Sequence, residues 1–439
     1  MHYHGSNSRL QMTLRLRIPI ACSLAFAAAA APQLQAQDTC CDLIGGSVAD
    51  RYAVSAISER RFTHSELWRA LDPFLQTGGV SVRQVGSSVQ GRAINAVTFG
   101  RGPTTVLLWS QMHGDESTAT MALADIIRFL AEGDGDPLRR LMEERLEVVM
   151  VPMLNPDGAE RFQRQNAVGV DVNRDARRLA TPEAQALKAL RDSIQPEFGF
   201  NLHDQGARTT AGSTGRRVAI ALLAPPTDTS RSYGPVRDRA RRLAALLTAG
   251  LDSHTSGQTA KYDDTFNPRA FGDLIQQWGT STVLIESGAL PDDPDKQELR
   301  RVNVMLLLTA LEAIATERYT AAEPAAYDSL PFNRRVASDI LLTGGWVVVP
   351  HADPSRLDIA LVYDDPVAQR GLRLGEIGDL EGAVAMDTVD VSGLYLHLAT
   401  PSTLEPTDWW LIGGEPVAVV ARRSAAADGE VVLRIPDLP

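Results

Sequence analysis

The chain has 439 residues, of which 44% are hydrophobic and 22% are charged, a composition typical of a globular protein with an ample core. Its formal net charge of -11 argues against nucleic acid as a partner, because nucleic-acid-binding proteins carry basic surfaces.

The first 36 residues have the layout of a secretory signal peptide. Two arginines precede an apolar stretch at 18–31, a small-residue cleavage signal ends at Ala36, and Met12 is a candidate start. The apolar stretch is too short for a transmembrane span. We therefore predict a secreted or periplasmic protein without a transmembrane anchor, whose residues 37–60 are a lead-in to the first domain.

Helical and strand patterns alternate between residues 61 and 320. Thr63-His64-Ser65-Glu66 fits a capping box that opens a helix. The apolar runs TTVLLWS (104–110) and LEVVMVP (146–152) are typical of strands buried on both faces. We therefore predict an α/β domain over 61–320, with a mixed, mostly parallel sheet and helices on both faces. Further strands are expected at 80–85, 93–99, 198–203, 218–223 and 281–285, and helices at 118–131, 182–194, 235–251 and 296–315.

The composition changes near residue 322. Residues 321–328 read as a linker, and short strand patterns follow it at 339–342, 346–349, 359–362, 395–398 and 417–421. They predict a small all-β domain over 329–439, similar to a β-sandwich. The stretches 339–345 and 391–395 faintly resemble the small β-domain of amidohydrolases, whose barrel and metal-binding histidines this chain lacks. We therefore expect an accessory domain without chemistry of its own.

Polar side chains follow the ends of several predicted strands. His113 and Glu116 come just past TTVLLWS, His203 ends FGFNLH, and Glu286 follows STVLI. Open α/β sheets bind ligands at this edge. An imidazole and a carboxylate on one turn can reach a single metal ion, and zinc accepts such ligands. A buried, unpaired Glu286 is costly, and a water to activate would give a reason for it.

Two further motifs lie between these residues, Asn155-Pro156-Asp157-Gly158 and Gly169-Val170-Asp171-Val172-Asn173-Arg174. Taken in this order, the motifs resemble the M14 family of zinc metallocarboxypeptidases over about residues 55–320. The resemblance implies a zinc carboxypeptidase catalytic domain that binds one Zn²⁺ ion. Its substrate would be a peptide with a free C-terminal carboxylate.

The resemblance also implies a metal site. His113, Glu116 and His203 would be the zinc ligands, and Asp171 would orient the imidazole of His113. Zinc would activate water and polarise the scissile carbonyl.

The remaining implied roles concern the substrate. Asn173 and Arg174 would hold its terminal carboxylate, since a guanidinium can pair with both oxygens. Glu286 would be the general base and then the proton donor to the leaving amine. Arg164 would stabilise the oxyanion, with Arg161 as the alternative for that role.

The chain departs from the family pattern at the substrate cleft. Asp204-Gln205 follows the third ligand where Ser-Tyr is usual, and position 264, near which a substrate-binding tyrosine is usual, is Asp. Tyr262 is the nearest tyrosine, and the segment 265–273 is the alternative to it. Phe271 either lines a side-chain pocket with an apolar preference or belongs to the core.

Two other functions remain open. A zinc deacylase or amidase of the aspartoacylase or succinylglutamate-desuccinylase type shares the His-x-x-Glu pattern and also uses an Arg for a carboxylate. An inactive peptide-binding module is the alternative outside enzymes.

Overall fold

In the computed structural model, which describes residues 42–348, 352–399, 401, 414 and 416–436, an eight-stranded mixed sheet carries helices on both faces. This confirms the architecture that the alternating pattern predicts. The expected signal peptide, 1–36, lies outside the described residues. Within them, no helix is both long enough and apolar enough to cross a bilayer.

Helices and strands alternate over most of the α/β part, and strands dominate the C-terminal part. In chain order, the helices are α1 (Gly46–Arg51), α2 (His64–Leu75), α3 (Thr118–Glu132), α4 (Pro137–Arg145), α5 (Pro156–Arg161), α6 (Pro182–Ile194), α7 (Pro235–Thr255), α8 (Phe271–Gln277), α9 (Gln297–Ala315) and α10 (Ala325–Asp328). The strands are β1 (Ser81–Ser87), β2 (Ala93–Phe99), β3 (Thr104–Trp109), β4 (Leu146–Val151), β5 (Phe198–Asp204), β6 (Thr209–Ala211), β7 (Ile220–Leu223), β8 (Thr259–Lys261), β9 (Ser281–Ser287), β10 (Asn333–Arg335), β11 (Ser338–Thr343), β12 (Trp346–Val347), β13 (Ser355–Arg356), β14 (Asp358–Asp365), β15 (Arg370–Gly378), β16 (Ala385–Asp390), β17 (Tyr395–Ala399), β18 (Ala418–Arg422) and β19 (Val431–Ile435).

The large sheet has the strand order β1-β2-β4-β3-β5-β9-β7-β8. Its central strands β4, β3, β5 and β9 are parallel neighbours, so their carboxyl ends share one edge. The flanking pairs β1 with β2, β2 with β4 and β9 with β7 are antiparallel. The parallel core therefore lies in the middle of a mixed sheet.

Each face of this sheet has its own hydrophobic core, because successive residues of a strand point to opposite sides. In β3, Val106 and Leu108 belong to the core that includes helices α3, α7 and α9. Leu107 and Trp109 belong to the core under α6 and α8. This double burial explains why TTVLLWS is apolar at successive positions rather than alternating.

The C-terminal strands form two further sheets, ordered β15-β14-β11-β16 and β13-β12-β17-β18-β19. Leu361 and Leu374 of the first sheet share one buried cluster with Leu396 and Val419 of the second. The two sheets therefore enclose a common core, as expected of an all-β region at this end of the chain.

Residues 321–328, expected as a linker, include α10. Its Tyr327 is buried, and the Tyr327 hydroxyl accepts a hydrogen bond from the Ala224 backbone N–H at 3.1 Å. The segment is thus packed against the α/β part of the chain. The domain boundaries themselves stay a prediction.

Candidate active site

The parallel strands place their terminal polar residues side by side. In the register of β5 and β9, His203 lies directly opposite Glu286. His113 and Glu116 lie on the loop that follows β3, the neighbour of β5 on its other side. Backbone hydrogen bonding across the sheet therefore sets the spacing of His203 and Glu286, and β3 brings the loop of His113 and Glu116 to the same edge.

The loop that carries His113 depends on close packing against the Asn155-Pro156-Asp157-Gly158 motif. A Cβ atom on Gly114 would lie 2.0 Å from the carbonyl carbon of Gly158, so only glycine fits there. The Asn155 amide donates to the Met112 carbonyl at 3.2 Å, and its oxygen accepts from the Gly158 N–H at 2.9 Å. The motif therefore supports the shape of the His113 loop and contributes no side chain to the cavity.

Two imidazoles and one carboxylate converge at this edge. Nδ1 of His113 lies 2.7 Å from Oε1 of Glu116, and Nδ1 of His203 lies 2.7 Å from Oε2 of the same carboxylate. One candidate ligand atom from each residue lies within 4.8 Å of the others, and all three residues are buried. The expected metal ligands are therefore brought together.

The outer nitrogens of both imidazoles have partners of their own. Nε2 of His113 donates to Oδ1 of Asp171 at 3.0 Å, and the Asn173 amide donates to Nε2 of His203 at 3.3 Å. These contacts turn both Nδ1 atoms towards Glu116. Metal-binding histidines commonly donate their outer N–H to a carboxylate, as His113 does here, and two imidazoles with one carboxylate are donors that a zinc ion accepts.

The charged groups and the burial of the site shift the pKa values of His113, His203 and Glu116 in different directions. Burial alone would lower the pKa of His113, but Glu116 and Asp171 outweigh it and raise that pKa to about 9. Burial lowers the pKa of His203. Against the effect of its own burial, the two histidines hold the pKa of Glu116 well below its usual value. At neutral pH the metal-free site therefore carries one extra proton, on His113.

Glu286 lies beside this cluster, and the pKa of its carboxyl is shifted in the opposite direction to that of Glu116. Burial, followed by the negative charge of Glu116, raises its pKa well above the ordinary glutamate value. Tyr262 lines the same cavity, and the nearby Glu286 is the main cause that raises its pKa to about 12. The carboxyl of Glu286 therefore holds a proton more tightly than an ordinary glutamate.

The two arginines considered for oxyanion stabilisation lie in different places. Arg164 lines the cavity and contacts Glu116 at 3.2 Å and Asp171 at 2.9 Å. Arg161 is exposed at the end of α5 and does not line the cavity. Only Arg164 is therefore positioned beside the expected zinc ligands.

Asn173 and Arg174 both line the cavity, but they differ in what their side chains already contact. The oxygen of Asn173 accepts from the Phe271 N–H at 2.9 Å, while its amide nitrogen faces His203. Arg174 donates to the Asn173 carbonyl at 2.7 Å through one nitrogen. Among the described residues, the remaining nitrogens of the Arg174 guanidinium have no hydrogen-bond partner, and Asn173 mainly joins His203 to α8.

One cavity of about 1180 Å³ is lined by most of these groups, although His203 and Asp171 are not among its lining residues. A branch of its wall is formed by Asn201, Gly272 and Asp273. Burial raises the pKa of Asp273 to about 6. The oxygen Oδ1 of Asn201 is buried and has no hydrogen-bond partner within the described residues. Sequence reasoning missed both acceptors.

The alternative that Phe271 lines the side-chain pocket is wrong. Its side chain is fully buried in the core under α6 and α8, together with Trp109 and Ile275. The residue fifteen positions before Glu286 therefore lies on the side of α8 that packs against the core. Asp273, two residues later, reaches the cavity instead.

The Asp204 that replaces the usual serine forms a buried ion pair with Lys296, at 2.8 Å. Its carboxylate also accepts from the Thr118 hydroxyl at 2.6 Å, and its backbone N–H donates to Glu116 at 3.2 Å. The residue therefore helps to fix the loop of the metal ligands, and Lys296 joins the cavity wall.

Residues 76–266 match the family model described as zinc carboxypeptidase (Peptidase_M14). The chain is 28% identical to a carboxypeptidase 2 of Trichophyton rubrum over 188 residues, which is 42% of this chain and 30% of that protein. It is 27% identical to an uncharacterized protein of Zymomonas mobilis over 133 residues, which is 29% of this chain and 35% of that protein. The chain thus spans about a third of these relatives' length. A metallo-carboxypeptidase structure from Burkholderia cenocepacia matches with a TM-score of 0.48 at 18% identity, over 59% of this chain and 70% of that one.

Proposed function

We propose that this chain, in which residues 76–266 form a zinc carboxypeptidase domain of the Peptidase_M14 family, removes C-terminal residues from peptides as a metallocarboxypeptidase. The observation that carries the proposal is one cavity whose wall includes His113 and Glu116, the buried Glu286 and the guanidinium of Arg174. His203 completes the candidate metal cluster with His113 and Glu116. A cluster for a metal, a proton acceptor and an anion-binding group are what hydrolysis of a C-terminal peptide bond requires.

The metal in this proposal is one zinc ion held by His113, Glu116 and His203. When bound there, zinc supplies a Lewis acid that acidifies water and polarises a carbonyl group. The chain supplies the orientation of the ligands, because Asp171 and Asn173 fix the two imidazoles. The buried setting also keeps the ligands away from bulk water.

The substrate's terminal carboxylate pairs with Arg174, whose planar guanidinium can donate to both oxygens. We propose that this contact brings the last peptide bond next to the metal ligands and Arg164. Arg164 then stabilises the negative charge that develops on the carbonyl oxygen. Tyr262, which lines the same cavity, is proposed to contact the bound peptide.

Glu286 moves the proton. As an ionised carboxylate it takes a proton from the attacking water, whose oxygen bonds to the carbonyl carbon. It then gives that proton to the nitrogen as the carbon–nitrogen bond breaks. Burial raises the pKa of its carboxyl, and a more basic carboxylate takes the proton from water more readily.

The same cavity supports a proposal for the side chain that is removed. Asp273 and the unpartnered Oδ1 of Asn201 are hydrogen-bond acceptors in its wall. A substrate side chain with donors and a positive charge satisfies both of them, whereas an apolar side chain leaves them unpaired at a cost. We therefore expect a preference for C-terminal lysine or arginine.

The test is a set of matched peptides given to the zinc-loaded protein. Peptides with a free C-terminus should lose one residue at a time, and their C-terminally amidated counterparts should not. Equal cleavage of both sets, or cleavage only of N-acyl amino acids, would instead indicate the deacylase. Binding without turnover, unchanged by a chelator, would indicate the inactive peptide-binding module.

Two further proposals concern the rest of the chain. The signal-peptide pattern in residues 1–36 supports export to the periplasm or the medium. The two C-terminal sheets support an accessory domain, for which residues 329–439 are the proposed extent.

A further inference from the structure

The hairpin between β14 and β15 reaches the cavity that contains the proposed catalytic groups. His113 and Glu286 line the cavity from the α/β part of the chain. The C-terminal part contributes Asn333, Arg335, Asp364, Asp365, Pro366 and Val367. The all-β region, which has no proposed chemistry, therefore forms part of the active-site wall.

The turn of this hairpin is held by its own hydrogen bonds. Oδ1 of Asp365 accepts from the backbone N–H groups of Val367 and Ala368 at 3.2 and 3.1 Å. Across the hairpin, Asp365 and Arg370 are backbone partners in the register of β14 with β15. An aspartate that accepts from the backbone of its own turn is a common turn-stabilising arrangement. The turn therefore has a fixed conformation where it lines the cavity.

An ion pair fastens the turn to the beginning of the α/β part. The second oxygen of Asp365 pairs with the guanidinium of Arg60, and both residues line the cavity. The carbonyl of Arg60 accepts from the Ser117 hydroxyl at 2.5 Å, and Ser117 follows the metal ligand Glu116. The hairpin is therefore linked to the metal loop through two short contacts.

A second set of contacts fixes the base of the hairpin. Strand β10 pairs with β6, which follows the metal-ligand strand β5. Arg208 donates to the Asp339 carboxylate at 2.8 Å and to the Tyr363 carbonyl at 3.3 Å. These contacts join the C-terminal strands β10, β11 and β14 to the segment that follows β5.

Another part of the wall is formed by Phe162, with the Arg61 guanidinium 4.6 Å from the centre of its ring. Together with the hairpin it bounds a cavity of about 1180 Å³. Pockets for small molecules are roughly 300–1000 Å³. This cavity is only slightly larger, so a peptide of a few residues fills it.

We propose that the β14–β15 hairpin selects substrates by length, so that the chain cleaves short peptides better than long ones. In this proposal, a peptide too long for the cavity must extend past its wall, and the fixed turn with Asp365 and Val367 excludes it. The inference rests on the proposed carboxypeptidase function and adds a substrate class to it.

The test is a ladder of peptides of two to ten residues that share their last two residues. We expect kcat/KM of the full-length, zinc-loaded protein to fall at least tenfold between the tetrapeptide and the decapeptide. In a variant whose turn residues 366–369 are replaced by Asn-Gly, a two-residue hairpin turn, this fall should shrink to threefold or less. The rate on the dipeptide should stay within twofold.

A milder variant covers the case in which the shortened hairpin fails to fold. Asp365→Asn keeps an oxygen for the turn but removes the charge that pairs with Arg60, so the discrimination should decrease without any change in chain length. Asp50→Asn is the matched control, because it removes half of an exposed pair with Arg301 that lies outside the cavity. It should leave the discrimination unchanged.

Equal rates along the ladder for the unaltered protein would overturn the inference, and so would discrimination that persists in both hairpin variants or changes equally in Asp50→Asn. In each of these cases cleavage of the dipeptide would leave the proposed function standing. Absence of cleavage of every free peptide would overturn the proposed function, and the length selection with it.

Discussion

Arg164 and Asp171 form an ion pair in which Nε and Nη2 of the guanidinium both donate to one carboxylate oxygen, at 3.1 and 2.9 Å. The other oxygen accepts from His113. Partial burial would raise the pKa of Asp171, but His113 and Arg164 hold it well below its usual value. One ionised carboxylate therefore orients a proposed metal ligand and the proposed oxyanion-stabilising residue together.

Asp171→Asn should weaken zinc binding by about 10- to 100-fold, because the amide is a poorer acceptor for the His113 N–H. The value of kcat/KM at saturating zinc should fall as well, since Arg164 loses its ionic partner. Competition with a chromophoric chelator measures the affinity. Asp72→Asn, on the exposed side of α2, is the control. Unchanged zinc affinity would refute the positioning role of Asp171.

Glu286→Gln should lower kcat by roughly 10²–10⁴-fold, the usual share of general acid–base catalysis. Glutamine has nearly the same shape but cannot take a proton from water. The zinc content after dialysis should stay at one ion per chain. If zinc were lost together with activity, Glu286 would have to be a ligand and not the base.

Zinc binding should release about one proton per ion below pH 9. His113 has a pKa of about 9 in the metal-free site, and its Nδ1 must lose a proton before it can coordinate. The apparent affinity should therefore rise roughly tenfold per pH unit through the neutral range and level off above pH 9. Calorimetry in buffers of different ionisation enthalpy measures the released protons. No release at pH 7 would contradict the protonated His113.

The same pKa predicts how the metal-free protein responds to pH. The pKa of His113 is raised from 6.5 to about 9 on folding, so the folded state binds the proton more tightly than the unfolded state. Its stabilising effect is complete below pH 6.5 and is lost as the pH rises through 9. Urea denaturation of the chelated protein between pH 6 and 9.5 should show this decrease. The His113→Gln variant should lack this component.

Asp273→Asn should reduce the preference for C-terminal lysine over leucine by about 10- to 100-fold, the range expected for a hydrogen bond to a charged group. In the unaltered protein the preference should increase as the pH rises through about 6, where Asp273 becomes ionised. The lysine-to-leucine ratio of kcat/KM removes pH effects common to both substrates. A ratio that does not change between pH 5 and 7 would exclude Asp273 as the selecting group.

The metal cluster could be predicted from the sequence because each part of it follows a recognisable strand. His113, His203 and Glu286 come at the ends of uninterrupted apolar runs, and parallel neighbours place such ends together. Glycine and asparagine in the two connecting motifs indicate tight loops. Short sequence motifs are therefore sufficient to predict the candidate metal cluster.

The remainder of the cavity depends on contacts that no local pattern indicates. Arg60 and Asp365 are separated by 305 residues, and neither lies in a motif. Helix α8 begins without a side-chain cap, so the sequence of residues 265–273 favours a loop. The sequence does not determine whether the Phe271 side chain faces the cavity or the core. The face of this short helix that carries Asp273 follows from its tertiary packing.

The register of β5 with β9 has a consequence for how this protein can diverge. His203 and Glu286 are cross-strand partners, so the backbone hydrogen bonds between β5 and β9 set their separation. Changes in surface loops leave this separation unaltered. The β14–β15 turn and the segment before α8 are outside that ladder. New substrate ranges can therefore arise by altering these two segments, while the proposed hydrolytic centre keeps its geometry.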